Sequence, residues 1–297
     1  VANNLAAFNT QAFSKLLIQN LDQINVMMAL VNRNWEGDLQ NVGDTVNVRT
    51  LGSVTTGSWT KDGTISYQDL APVTESFQVL DAEYFAFKVD DVDVATNDLN
   101  ALKLYAERAA IAVNNLVEIK ALSKYASAHA NNRITGASSA AITLTADADQ
   151  STGIYPLMVK AGANLSKFNV PRRGRWMVID PDTYALLLND TTHFIRATEL
   201  GDRVVTSGML GANEAPGFVG QCAGFDIYES NAVPVASSAK YLQYGTRMAI
   251  SYAAKIRKIQ QLTLETTFAD AVRGLILHDA HVFAEASKAY GYIKAAA

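Results

Sequence analysis

From Asn97 to Ala128 the chain runs through Leu99, Leu102, Ala106, Ala109, Val113, Leu116, Val117 and Lys120 without a proline or glycine. Its apolar positions recur near a period of 3.6 residues, which predicts one continuous helix. At 1.5 Å per residue such a helix is about 45 Å long, roughly three times the usual helix of a compact domain. A spar of that length constrains the rest of the chain to be organised along it.

The approach to the helix is FKVDDVDVATNDLN, residues 87–100. Three aspartates, Asp90, Asp91 and Asp93, stand among β-favouring valines, and an Asp-x-Asp pair has the oxygens to hold a divalent cation. Such cations usually take ligands from several elements or from a dedicated loop with glycine at its turn, and neither is present. The simpler account is a strand-to-helix junction. Alternation along FQVLDAEYFAFKV places Phe77, Val79, Phe85, Phe87 and Val89 on one face, giving a strand pair, and slips by one at Asp90 and Asp91. Thr96, Asn97 and Asp98 then offer capping oxygens, and the acidic groups favour the positive end of the helix.

Upstream, GDTVNVRT (43–50) alternates as a half-buried strand and is followed by SVTTGSWTKDGTISYQDL, which has little apolar content. Asp62-Gly63 is the dipeptide of a type I′ hairpin turn. An isolated ribbon with polar arms is marginal in water, so this hairpin needs support from outside itself. Trp59, Ile65, Tyr67 and Leu70 are the side chains a partner could bury, with Lys61 and Asp62 at the tip.

Residues 3–34 carry a helical period in Leu5, Phe8, Ala12, Leu16, Leu17, Leu21 and Ile24, and read as an N-terminal arm. After a small, polar stretch at 131–150 with one short strand, an α/β region follows. It holds a helix at 152–168, a strand at 175–180, a helix begun at DPDTYALLLND and a strand in GFDIYESNAVP. Three further strands lie in YLQYGTRMAISYA, KIQQLTLET and AVRGLILHDAHVFAE.

With 297 residues, 49% of them apolar and 18% charged, the chain can bury an ordinary core. A net charge of -4 argues against a sequence-independent nucleic-acid binder, so any such contact is local. The single Cys222 excludes an internal disulfide framework, suits a reducing cytoplasm and reads as a small core residue. No apolar run reaches the ~20 residues that cross a bilayer. His278 and His281 in HDAH sit three apart on a strand, which points them to opposite faces and disfavours a shared metal. Arg172, Arg173 and Arg175 in PRRGRW form a basic cluster beside a strand, read first as a solvated turn and second as a subunit salt bridge or phosphate contact. No GxGxxG, GxxxxGK[ST] or GxSxG occurs in a catalytic context, and no spacing groups a triad.

Three stretches in order resemble the tailed-phage major capsid proteins of the Hong Kong 97 fold: GDTVNVRT with KDGTISYQDL and FAFKVDDVDVATND; GRWMVIDPDTYALLLND with GFVGQCAGFDIYESNAVP; and AVRGLILHDAHVFAE. Together they span roughly residues 40–285. Relatives often carry glutamine where Thr96 stands and an aromatic-glycine pair where His278 and Asp279 stand, so the chain departs from their pattern at those positions. The resemblance implies an α+β fold. Residues 1–40 would be the N-terminal arm and 41–80 an extended β-hairpin loop lying on a neighbouring subunit. Residues 81–149 and 251–297 would form a peripheral domain with spine helix 97–128, and 150–250 an axial domain.

It further implies a non-enzymatic subunit, without cofactor, that self-assembles as hexamers and pentamers into an icosahedral shell around double-stranded DNA. Such a shell is assembled in the host bacterial cytoplasm and located in the virion. Contacts between subunits would come from the arm, the loop, Asp90, Asp91 and Asp93, and Arg172, Arg173 and Arg175 against acidic neighbours. A separate scaffolding protein, a portal and decoration proteins would be further partners, with no membrane. Some relatives crosslink through a loop lysine; Lys61 lies near the tip, but its distant partners have no match here and no crosslink is predicted. Two alternatives stand beside this reading: an encapsulin-like nanocompartment shell, and a metal-dependent enzyme using Asp90, Asp91 and Asp93.

Overall fold

A computed structural model describes residues 25–35, 37, 44–50, 54–65, 67–70, 72–90, 101–146, 149–189, 217–263 and 269–297. Its helices are α1 (Met27–Leu30), α2 (Ala101–Leu122), α3 (Ile154–Lys167), α4 (Pro181–Leu188) and α5 (Ala284–Ser287). Its strands are β1 (Thr45–Thr50), β2 (Val73–Gln78), β3 (Asp81–Asp90), β4 (Arg133–Ile134), β5 (Arg175–Ile179), β6 (Phe218–Cys222), β7 (Phe225–Glu229), β8 (Val235–Ala236), β9 (Ala239–Thr246), β10 (Ser251–Thr263), β11 (Ala269–His281) and β12 (Tyr290–Ala296).

The described strands form three sheets. β1 and β2 make an antiparallel ribbon, and β10, β11 and β3 an antiparallel three-stranded sheet. The third is a mixed sheet in the order β4-β12-β9-β5-β7-β6, with β8 paired to β9. Only β5–β7 and β4–β12 are parallel pairs. Strand β5, with sequence RWMVI, is buried at every position, as a central strand covered on both faces should be. The main core gathers Trp176, Phe225, Tyr244 and Tyr290 from this sheet with Ile154, Leu157, Met158, Ala161 and Leu165 on one side of α3.

The spar is present as α2, 22 residues and so about 33 Å, continued by a 3-10 turn at Ser123–Ser127. Residues 97–100, together with the expected caps Thr96, Asn97 and Asp98, lie outside the described residues. α2 touches both larger sheets. Toward the three-stranded sheet Val117 is buried, and Lys120 meets Asp81 of β3 and, at 3.4 Å, Asp279 of β11. At its end Gln243 of β9 donates from Nε2 to the Leu122 carbonyl at 2.6 Å, satisfying one of the acceptors a helix terminus leaves free. Tyr290 in turn donates its hydroxyl to Gln243 Oε1, and Ser230 donates to Glu118 at 2.7 Å.

Three boundaries differ from the sequence expectation. Phe77 and Phe85 do not belong to paired neighbours: the chain breaks at Val79 and Leu80, β2 pairs with β1, and β3 pairs with β11. Val26, Met27, Leu30 and Val31, expected in the arm, are core residues, and Asn32 is held by backbone bonds to Ile250 and Tyr252 at 2.8 Å each. β12, a strand the sequence did not lead us to expect, pairs along its length with β9 in the mixed sheet. Residues 1–24 of the arm lie outside the described residues.

Candidate assembly surface

Beyond the ribbon of β1 and β2 the chain continues as a long loop in which every described residue from 54 to 70 is exposed. Trp59 is 66% exposed and Tyr67 93%, and Ile65 and Leu70 are exposed as well. No ladder joins the two arms among the described residues beyond β1–β2; Thr55 donates its backbone N–H and its hydroxyl to Gln68 Oε1, each at 3.0 Å. Polar arms with no apolar face to bury give a ladder little to hold it. At the tip Gly63 N–H donates to the Thr60 carbonyl at 2.9 Å, and of the two central residues only Asp62 is left-handed, with φ 68°. The turn is therefore centred on Lys61-Asp62 as in type II, one residue before the Asp62-Gly63 type I′ turn the dipeptide predicts.

The base of the loop is built differently. Phe77 and Val79 are buried with Ala253 and Leu277, and Trp35, Val46 and Phe283 pack on them. Phe77 stacks on His281 with centroids 5.7 Å apart, and Glu75 accepts the Ala284 N–H at 2.8 Å. A fixed base thus carries an exposed loop whose polar tip is flanked by the bare side chains of Trp59, Ile65, Tyr67 and Leu70.

The apolar exposure continues down β2 and β3. Val73, Leu80 and Tyr84 are exposed, Tyr84 at 80%, while Phe85 and Phe87 on the other face are half-buried. Alternation in FQVLDAEYFAFKV marks its Phe face. The same period of two placed Tyr84 opposite, and that was the available signal.

Asp90 ends β3 opposite Ala269, while Asp91 and Asp93 lie outside the described residues. Among the described residues no three His, Cys, Asp or Glu side chains gather as a metal site. His278 and His281 have separate surroundings: His278 is 2% exposed, with Glu83 3.6 Å from Nε2 and Tyr252 beside the ring, whereas His281 packs on Phe77 and Phe283. Burial pushes both imidazoles below the ordinary histidine value, with Lys120 and Lys124 adding to it at His278 and His281 respectively.

Arg172 and Arg173 are exposed in the turn before β5, as a rim contact requires. Arg175 is not. It is 4% exposed, and its guanidinium donates to the carbonyls of Gly162 at 2.9 Å, Val170 at 2.7 Å and Pro171 at 2.9 Å, and to Ser166 Oγ at 3.1 Å. These acceptors belong to the C-terminal end of α3 and the turn after it. Arg175 therefore fastens a helix end inside its own chain, which removes it from the rim residues.

A family model for phage capsid proteins matches residues 74–291, which runs from within β2 to the start of β12. The chain belongs to the phage capsid protein family. The fold is shared with solved structures at low identity. One from Mycobacterium phage Che8 is 20% identical, with 98% of each chain covered and a TM-score of 0.73. The capsid of the cyanophage P-SCSP1u is 14% identical, covering 100% of this chain and 95% of that one at a TM-score of 0.70. The holo-SrpI encapsulin complex of Synechococcus elongatus is 8% identical, with coverages of 98% and 95% and a TM-score of 0.63. No curated protein matches the chain in sequence. The chain is thus a structural protein of a virion capsid, built on an α+β fold of the Hong Kong 97 kind.

Proposed function

We propose that this capsid protein is the major shell subunit of a tailed phage, joining copies of itself as hexamers and pentamers around double-stranded DNA. Scaffolding, portal and decoration proteins would act on that lattice, and assembly would take place in the host bacterial cytoplasm. In this reading α2 is the spine of a peripheral domain, β5 to β9 with α3 and α4 form most of an axial domain, and β12 ties the two together.

The observation that carries the reading is the loop: Trp59, Ile65, Tyr67 and Leu70 stand exposed on a strip that the described residues of its own chain do not cover. Exposed apolar residues in a row mark an interaction site, and a shell of many copies supplies a neighbour for every loop. Arg172, Arg173, Lys61, Asp62 and the Asp90, Asp91, Asp93 junction add charged contacts that set register more than affinity. Deleting residues 55–68 should leave a folded, soluble chain that sediments as small species and forms no closed particle by negative-stain microscopy. Normal shells from the deletion would end the loop assignment.

The encapsulin-like fold match favours one second reading, a nanocompartment enclosing protein cargo. Particles that contain DNA exclude it, and particles that co-purify with an enzyme establish it.

A further inference from the structure

Between Asp149 and Asp180 the chain carries Lys160, Lys167, Arg172, Arg173 and Arg175 and no carboxylate. In a chain whose net charge is -4, removing these five cations would leave an acidic excess more than twice as large, so the positive charge is concentrated here. The fold gathers three of them at one cleft of about 710 Å³, where α3 contributes Gly162, Ser166 and Lys167, the following turn Arg172, and β5 Arg175. The far wall is the β6–β7 turn, Ala223-Gly224, both left-handed with φ 51° and 82°, as a two-residue hairpin turn requires. That tight turn and Gly162 keep side chains out of the cleft.

Buried charges are ordinarily paired with an opposite charge. Arg175 is buried, yet among the described residues no carboxylate pairs with it, and its four hydrogen bonds all go to neutral oxygens. Of its five N–H donors one on Nη1 is left over. The carbonyls at the end of α3 offset part of the charge but carry no net charge themselves. Arg172 adds like charge, and burial together with Arg172 pushes the Arg175 guanidinium below its ordinary value. An oxyanion in the cleft relieves the uncompensated burial of Arg175 and its repulsion by Arg172.

We infer that this cleft binds a phosphate group, with Arg172 and Lys167 as its exposed cations and the free Nη1–H of Arg175 at its floor. A phosphate group takes several charge-assisted hydrogen bonds from such a set. The inference does not depend on the chain forming a shell. The phosphate can be a free ion or part of a nucleic-acid backbone, and the cleft has room for a phosphodiester with its substituents.

The test uses the full chain, purified without phosphate, titrated calorimetrically with inorganic phosphate and separately with a short DNA duplex. Binding of at least one of the two is expected, weakened at least fivefold in the Lys167→Gln/Arg172→Gln double variant, with circular dichroism unchanged. If the duplex binds, its log affinity should fall with log salt less steeply in the double variant, by about two ion contacts. Preference for the duplex at equal phosphate assigns the backbone as source, and equal binding assigns the free ion. Failure of both titrants to bind the wild type, or equal binding by the double variant, overturns the inference. So does a double variant that loses particles while the wild type binds neither titrant, because the cleft would then be taken by a carboxylate of a second copy.

Discussion

Two tryptophans separated by 117 positions occupy opposite extremes of this molecule: Trp176 in β5 is 2% exposed, and Trp59 in the loop is 66% exposed. The first sits in a sheet whose neighbours on both faces belong to its own chain. The second sits on an unladdered strip with no described residue of its own chain over it. One region is stabilised by folding, and the other acquires its packing only from another body. Substitutions that separate those two kinds of dependence are the sharpest probes of the difference.

The largest loss should come from Trp176→Ala. Truncating a buried tryptophan costs about 3–5 kcal/mol, and urea unfolding of the unassembled chain measures it. Because no acceptor meets its indole N–H among the described residues, Trp176→Phe should recover most of that. A similar loss for both variants would mean that the indole nitrogen, not packing volume, holds the site.

Next is Arg175→Met. Removing the guanidinium takes one donor from each of the carbonyls of Gly162, Val170 and Pro171, of which Gly162 keeps the Ser166 hydroxyl at 2.9 Å, for an expected loss of about 2 kcal/mol. Arg175→Lys should restore only part of it, since one ammonium cannot span acceptors on both a helix end and the turn beyond. A loss of particles with unchanged unfolding would return Arg175 to the rim.

How much of this contrast was legible in the sequence depends on where each residue's partner lies. The strand at RWMVI was legible because the apolar run WMVI, bounded by PRRGR and DP, reads as a strand from its own residues. The burial of Arg175 was not, because its acceptors are at the end of another element, brought there only when α3 packs on the sheet. The bare loop was legible from its polar arms and its one turn dipeptide, but the turn was misplaced by one residue. Asp62 alone can supply the left-handed position that the dipeptide rule assigns to both residues. β12 was missed: YGYIKAA has only three β-favouring or apolar bulky positions and an alanine-rich end, and its strand character comes from β9 alongside. Of the surface, Trp59, Ile65, Tyr67 and Leu70 could be named in advance, while Tyr84 was overlooked on the face not followed.

A smaller effect is expected from pH at the helix-to-sheet contact. His278 lies on β11, facing Glu83 from β3, Lys120 from α2 and its neighbour Asp279, with Lys255 and Arg33 lining the same cavity. Its folded pKa is depressed below 6.5, chiefly by burial, so the unfolded chain binds the proton first as pH falls. Stability is therefore full above pH 6.5 and declines below it, with a slope of at most about 1.4 kcal/mol per pH unit for this one group. Unfolding at pH 7.5 and 5.5 reads it, and His278→Phe should flatten the difference. Equal pH dependence in the variant would move the effect to other groups.

The smallest effect on folding, and the most telling, is that of Trp59→Ala. With two thirds of its surface already in water, the side chain has little burial to lose, so the unassembled chain should unfold within about 0.5 kcal/mol of the wild type. Assembly should respond quite differently, because a tryptophan that becomes buried only against a neighbour is the kind of side chain that dominates an interface. Light scattering during assembly should then show a higher critical concentration or no shells at all, while the unfolding curve hardly moves. Equal losses in both measurements would place Trp59 in its own chain's core, and no loss in either would move the contact to Tyr67 or Tyr84. Only the split result makes the two tryptophans what their exposures imply: one that holds a subunit together, and one that holds subunits to each other.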